Sequence, residues 1–187
     1  MMTGRVSTAS AVVGIAASAA SGQSVSLHFD ANREFAFSGD VVTWTVYASF
    51  TGFEDPTAYF GGFIGSAWVE ESDAQVVSFE NLMSGEAVPP SFVGGSLENV
   101  NIFNNALLGT DDQANPIPIF RVGTEIGTFL ATNMDADGTL FMFADNDPLG
   151  VPIRVTEFTV TSDVINLPSP GSAWCVVAVA CVTRRRR

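Results

Sequence analysis

The most pointed chemistry in the sequence lies in six consecutive residues, Asn133-Met134-Asp135-Ala136-Asp137-Gly138. Oxygen ligands at alternate positions followed by a glycine match the opening of an EF-hand-type calcium loop, where the glycine permits the tight turn that gathers the oxygens. The twelfth position of such a loop, where a bidentate Glu belongs, is Ala144, and Asp145 comes one residue late. Two readings stand side by side. The segment is a plain β-turn between strands, or it is a weak calcium site formed by Asn133, Asp135 and Asp137 and completed by Asp145 or Asp147. Hard carboxylate oxygens favour calcium over softer metals.

Other groups with catalytic potential are sparse. His28 is the single histidine. A Ser-His-Asp triad would have to use it, no Gly-x-Ser-x-Gly elbow presents a serine, and zinc sites built on several histidines fail on ligand count. His28 therefore reads as structural or exposed. Carboxylates are plentiful, and a glycosidase needs two of them about 5–9 Å apart across a sugar cleft. Glu70 and Glu71 are adjacent, so a strand points them to opposite faces, and Asp111 and Asp112 read as a turn. Tyr59, Phe60, Phe63 and Trp68, among Gly61, Gly62 and Gly65, would make a sugar-stacking platform if two rings faced solvent; their alternation also suits a core. Both cysteines, Cys175 and Cys181, lie near the C-terminus. Six apart on a helix, they occupy different faces, which rules out a mutual disulfide.

The frame for these residues is a chain of 187 residues, the length of one core-forming domain. It has 20 acidic and 8 basic residues, for a net charge of −12, and lysine is absent. All the acids fall between Asp30 and Asp163, where only Arg33, Arg121 and Arg154 are basic. Such a body attracts cations and has no face with which to neutralise phosphates, so nucleic acid is excluded as a partner. With 47% apolar residues it is not a disordered acidic chain.

Alternation is clearest at residues 41–50, where Val42, Trp44, Val46, Ala48 and Phe50 share one face of a half-buried strand. Residues 60–70, 75–79, 117–122, 127–131, 139–143 and 151–161 read similarly, with 25–29 pairing at an edge. Turn chemistry separates them at Ser38-Gly39-Asp40, Glu54-Asp55-Pro56, Val88-Pro89-Pro90, Asp111-Asp112, Asp137-Gly138 and Asp147-Pro148. Residues 97–108 suit a short helix or an Asn-rich loop. The expected fold class is all-β, a single antiparallel sandwich of jelly-roll or immunoglobulin-like form over residues 23–162.

Both ends read as addresses. Residues 1–22 carry one Arg, an apolar run rich in small residues and Ala20-Ser21-Gly22 at a cleavage-compatible place, the form of a secretory signal peptide. Residues 163–172 read as a linker and sorting motif. Residues 173–187 read as a short transmembrane helix with an Arg tail, which keeps the arginines in the cytoplasm and the acidic body outside. The apolar run 173–183 spans only about 16 Å at 1.5 Å per residue, short of the roughly 20 residues of a stable anchor. A transient hold suits it better.

Pro168-Ser169-Pro170-Gly171, the short hydrophobic helix and the closing Arg184, Arg185, Arg186 and Arg187 resemble the PEP-CTERM sorting signal, with Ser169 where that family usually has Glu. The resemblance covers the last 22 or so residues. It implies processing by an exosortase in the inner membrane of an exopolysaccharide-producing Gram-negative bacterium. It also implies a final place at the cell surface or in the extracellular matrix. The body resembles cohesin-like sandwiches, near carbohydrate-binding folds, at Ser38-Gly39-Asp40-Val41-Val42 and at Asn115-Pro116-Ile117-Pro118-Ile119-Phe120 followed by Gly127-Thr128-Phe129. That likeness implies binding of a protein or glycan, not catalysis. Three functions follow for testing: a structural or adhesion protein whose partner is exopolysaccharide or another surface protein, a carbohydrate-binding module, and a small glycan-acting hydrolase.

Overall fold

The computed structural model describes residues 24–52, 59–70, 73–83, 85, 87–104, 115–128, 131–143 and 152–167. The strands are β1 (Ser24–Ala31), β2 (Val41–Thr51), β3 (Tyr59–Val69), β4 (Gln75–Asn81), β5 (Ala87–Val88), β6 (Ser91–Val93) and β7 (Ser96–Phe103). They continue with β8 (Ile117–Glu125), β9 (Ala131–Thr132), β10 (Met134–Phe143), β11 (Ile153–Val155), β12 (Thr159–Ser162) and β13 (Ile165–Asn166). One sheet runs β12-β1-β2-β8-β4, the other β11-β10-β3-β7-β5 with β6 also on β7, and β13 pairs β9. The first is called the β1 sheet below, the second the β3 sheet.

The two sheets close on one apolar core. Val25, Leu27 and Phe29 of β1 and Val42 to Phe50 of β2 alternate inward from one side, and Phe63, Ala67, Leu97, Val100, Ile102 and Leu140 meet them from the other. Phe63 and Phe120 stack between the sheets with ring centroids 6.2 Å apart. Trp44 is wholly buried, and its indole Nε1–H donates to Thr124 Oγ1 at 2.8 Å, which satisfies both polar atoms out of reach of water.

Several expectations need correction. Residues 25–29 are not at an edge, since β1 lies between β2 and β12. The sandwich is not wholly antiparallel: β1 pairs β12 in parallel, His28 opposite Thr161. Residues 96–103 form β7 rather than a helix or loop. The sequence misleads there because Asn99 takes φ 58° and the register slips between Gly65 and Ala67. The irregularity sets Leu97 and Val100 three apart on one buried face, a helical spacing inside a strand. The segment 151–161 splits into β11 and the start of β12, and of the described residues in 127–131 only Ala131 is strand, the first residue of β9, with 129 and 130 outside the described residues.

The Asp137-Gly138 turn is also absent, because both residues lie inside β10. Gly138 has φ 144°, and a Cβ there would strike the carbonyl oxygen of Ile64 on β3. The glycine serves close strand approach rather than chain reversal. The folded body runs past residue 162: Ile165 is fully buried, and Asn166 exchanges backbone hydrogen bonds with Glu34 and Ala36. The expected signal helix at 1–22 and membrane helix at 173–187 lie outside the described residues, among which no helix is long and apolar enough to cross a membrane.

Candidate functional site

The calcium reading required a loop, and β10 does not provide one. Asp135 and Asp137 sit opposite Trp68 and Ser66 in an extended ladder. Two residues along a strand are about 7 Å apart, so the carboxylates line up instead of converging on an ion. Asp135 Oδ1 accepts from the Ala136 N–H at 2.8 Å. Asn133 lies just before β10, whereas Asp145 and Asp147 fall outside the described residues. The sorting residues Pro168, Ser169, Pro170, Gly171, Arg184, Arg185, Arg186 and Arg187 also fall outside them. The aromatic platform is not a platform either: Tyr59, Phe60 and Phe63 are buried, and only Trp68 keeps partial exposure.

A different surface emerges on the outer face of the β3 sheet. On β10 the outward positions are Asp135, Asp137, Thr139 and Phe141, and on β3 they are Ile64, Ser66 and Trp68. Cross-strand register carries the face onward. Thr139 pairs Ile64, Ile64 pairs Asn101, and Asn101 pairs Val88. Ile64 is 38% exposed, Phe103 41% and Val88 56%. Phe103 and Phe141 lie side by side, with ring centroids 6.4 Å apart and tilted 45°. At the far margin the Arg154 guanidinium sits 6.0 Å over the Phe141 ring. Acids border the apolar strip: Asp135, Asp137, and Glu98, whose Oε2 accepts from Ser66 Oγ at 2.9 Å. Solvent-facing strand positions are ordinarily polar, so an apolar strip with acidic flanks is a surface suited to a partner.

On the β1 sheet the fold brings His28, Asp30 and Asp163 together, with one ligand-capable atom from each within 4.8 Å of the others. Sequence reasoning set His28 aside because it had no second histidine. It missed this group because Asp163 reaches the site only through the parallel pairing of β1 with β12.

No protein-family model matches the chain, and no curated protein matches it. Solved structures do. The second type II cohesin module from the cellulosomal adaptor ScaA scaffoldin of Acetivibrio cellulolyticus aligns at 14% identity and TM-score 0.51, covering 80% of this chain and 99% of that one. The sixth cohesin from scaffoldin B of Acetivibrio cellulolyticus, solved in complex with a Cel5 dockerin double mutant, aligns at 13% identity and TM-score 0.51, covering 79% and 99%. The seventh ScaB type I cohesin from Pseudobacteroides cellulosolvens aligns at 11% identity and TM-score 0.50, covering 78% and 92%. The shared feature is the fold, a cohesin-like β-sandwich.

Proposed function

We propose that this chain is an exported, non-catalytic interaction module that holds another surface protein on the outer face of its β3 sheet. The observation that carries the reading is the strip of Ile64, Phe103 and Val88, which runs exposed from central β3 across β7 to edge strand β5 and is flanked by Glu98, Asp135 and Asp137. The cohesin-like fold supports it, since a neighbour of the same fold was solved holding a dockerin. Burying one such side chain contributes about 1.5–3 kcal/mol, so two or three anchors supply the centre of a stable contact. The acids then select a partner with a basic rim around an apolar knob. Glycan binding is the weaker reading, because Tyr59, Phe60 and Phe63 belong to the core.

Delivery completes the proposal. Residues 1–22 act as a signal peptide, and the Pro168-Ser169-Pro170-Gly171 segment with its apolar run and arginines acts as a PEP-CTERM-like signal for an exosortase. The protein then resides at the cell surface or in an exopolysaccharide matrix. Two experiments separate these parts. Removing residues 168–187 should shift the protein from the surface or matrix fraction to the soluble periplasm; unchanged fractionation sinks the sorting role. Immobilised protein should retain a specific surface protein from the producing cells, and Ile64→Asp should release it. Retention that ignores Ile64→Asp but responds to Thr45→Asp on the β1 sheet refutes the docking face.

A further inference from the structure

His28 and Asp30 are two apart on β1 and so share its outer face. Asp163 arrives from β12 and is fastened twice to β1: its N–H donates to the Phe29 carbonyl at 3.0 Å, and its Oδ2 accepts from the Ala31 N–H at 3.1 Å. The remaining oxygen, Oδ1, lies 3.9 Å from His28 Nε2. The opposite ring nitrogen is committed as well. His28 Nδ1 lies 3.0 Å from Thr161 Oγ1, and that hydroxyl donates to the Leu27 carbonyl at 3.4 Å. While Thr161 donates to Leu27, its oxygen can accept from His28 Nδ1–H, the tautomer that turns the Nε2 lone pair toward the carboxylates.

Among the described residues no side-chain cation pairs with both carboxylates. Asp30 makes no ion pair or side-chain hydrogen bond among the described residues, Arg121 is engaged by Glu80 at 3.1 Å, and Arg33 by Asp40 at 3.5 Å. Two carboxylates and an imidazole nitrogen thus converge within a strongly acidic body. We propose that His28 Nε2, Asp30 and Asp163 Oδ1 bind a divalent transition metal of the zinc class. Imidazole nitrogen selects such ions over calcium. Bonds of about 2.1 Å set tetrahedral ligands roughly 3.4 Å apart, so the ligand atoms need only contract from within 4.8 Å. Side chains that are 44% exposed for His28 and 45% for Asp163 have room to do so. The Nδ1–H bond to Thr161 orients the ring as an outer-shell partner does in metal sites. Three protein ligands leave a fourth position for water, and the metal clasps the end of β12 to β1. This inference is independent of the docking face on the other sheet.

His28 is the sole histidine in the sequence, so its ring nitrogens report the site without ambiguity in an untagged full chain. Titration with zinc alone should move the Nε2 resonance and leave Nδ1 protonated, saturating at one equivalent. At a hundredfold excess over Kd the melting temperature should rise by roughly 5–10 °C. Asp30→Asn should weaken zinc affinity at least tenfold, and Thr161→Val should weaken it by about tenfold as an outer-shell change does. His28→Gln should abolish both the affinity and the thermal shift. Calcium at equal concentration should leave the ring signals in place. An unmoved Nε2 at millimolar zinc overturns the proposal, as does zinc affinity unchanged by Asp30→Asn, or an equal response to calcium.

Discussion

On the outside of the β1 sheet stand Ser26, Thr43, Thr45, Tyr47, Ser49 and Thr161, with Arg121 and Glu80 paired at 3.1 Å and two exposed valines, Val41 and Val77, at the start of β2 and on β4. On the outside of the β3 sheet stand Ile64, Phe103, Val88 and Phe141, with acids around them. The inner faces do not differ in this way; both are continuous apolar layers in one core. Folding requires only those inner faces. Hydroxyls prevail on the first outer face, where Val41 stands at the start of β2 and Val77 at the β4 bulge, whereas on the other the cross-strand register carries Ile64, Phe103, Val88 and Phe141 onto one strip left out of the core. The contrast therefore separates what holds the sandwich together from what it presents to a partner.

The largest expected effect addresses the two outer faces directly. Ile64→Asp combined with Phe103→Asp should lower partner affinity at least a hundredfold, as loss of central anchors does, while Thr45→Asp with Ser49→Asp changes it less than threefold. Binding kinetics on the purified pair check this. Raising ionic strength should slow association, because the flanking acids steer a basic rim.

Backbone packing sharpens the contrast next. A Cβ on Gly65 would collide with the Asp137 carbonyl across the β3–β10 ladder, whereas one on Gly123 meets the Ser78 hydroxyl, a side chain free to rotate. Gly65→Val should lower stability by about 2–3 kcal/mol through forced strand separation, and Gly123→Ala by less than about 1 kcal/mol. Urea midpoints decide; equal costs would mean that the two sheets are equally tight.

Thr124→Val leaves the Trp44 indole N–H buried without its acceptor and should cost about 1–3 kcal/mol, read by the same denaturation. The smallest effects lie at the margins. Arg154→Ala removes the cation above Phe141, worth about 0.5 kcal/mol at an exposed site. Arg121→Ala breaks a pair whose partners are 46% and 60% exposed, worth about 0.5 kcal/mol or less after solvent screening. Thermal melts of both should nearly overlay the parent.

The inner layer of the β1 sheet was legible in the sequence, because β2 alternates without interruption from Val42 to Phe50. Legibility failed where backbone irregularity reset the period. Asn99 turned the Leu97–Val100 spacing into a helical one, and Gly138, set against β3, gave β10 the look of a turn. The docking strip was hidden for a related reason. Ile64 lay unremarked within the strand read at 60–70 and Phe103 within the segment read as helix or loop, and only register shows that both point outward. The metal-site residues were hidden by distance along the chain, since Thr161 and Asp163 meet β1 through a parallel pairing that no local pattern encodes.

The central claim is that the β3 sheet, not the β1 sheet, is the face that meets a protein partner. A photo-crosslinking residue placed singly at Ile64, Asn101, Thr45 and Ser49, in protein exposed to the producing cells, tests it most directly. The account predicts one adduct of the same mass from positions 64 and 101 and none from 45 and 49. Adducts from 45 and 49 alone, or none from any position, would contradict it.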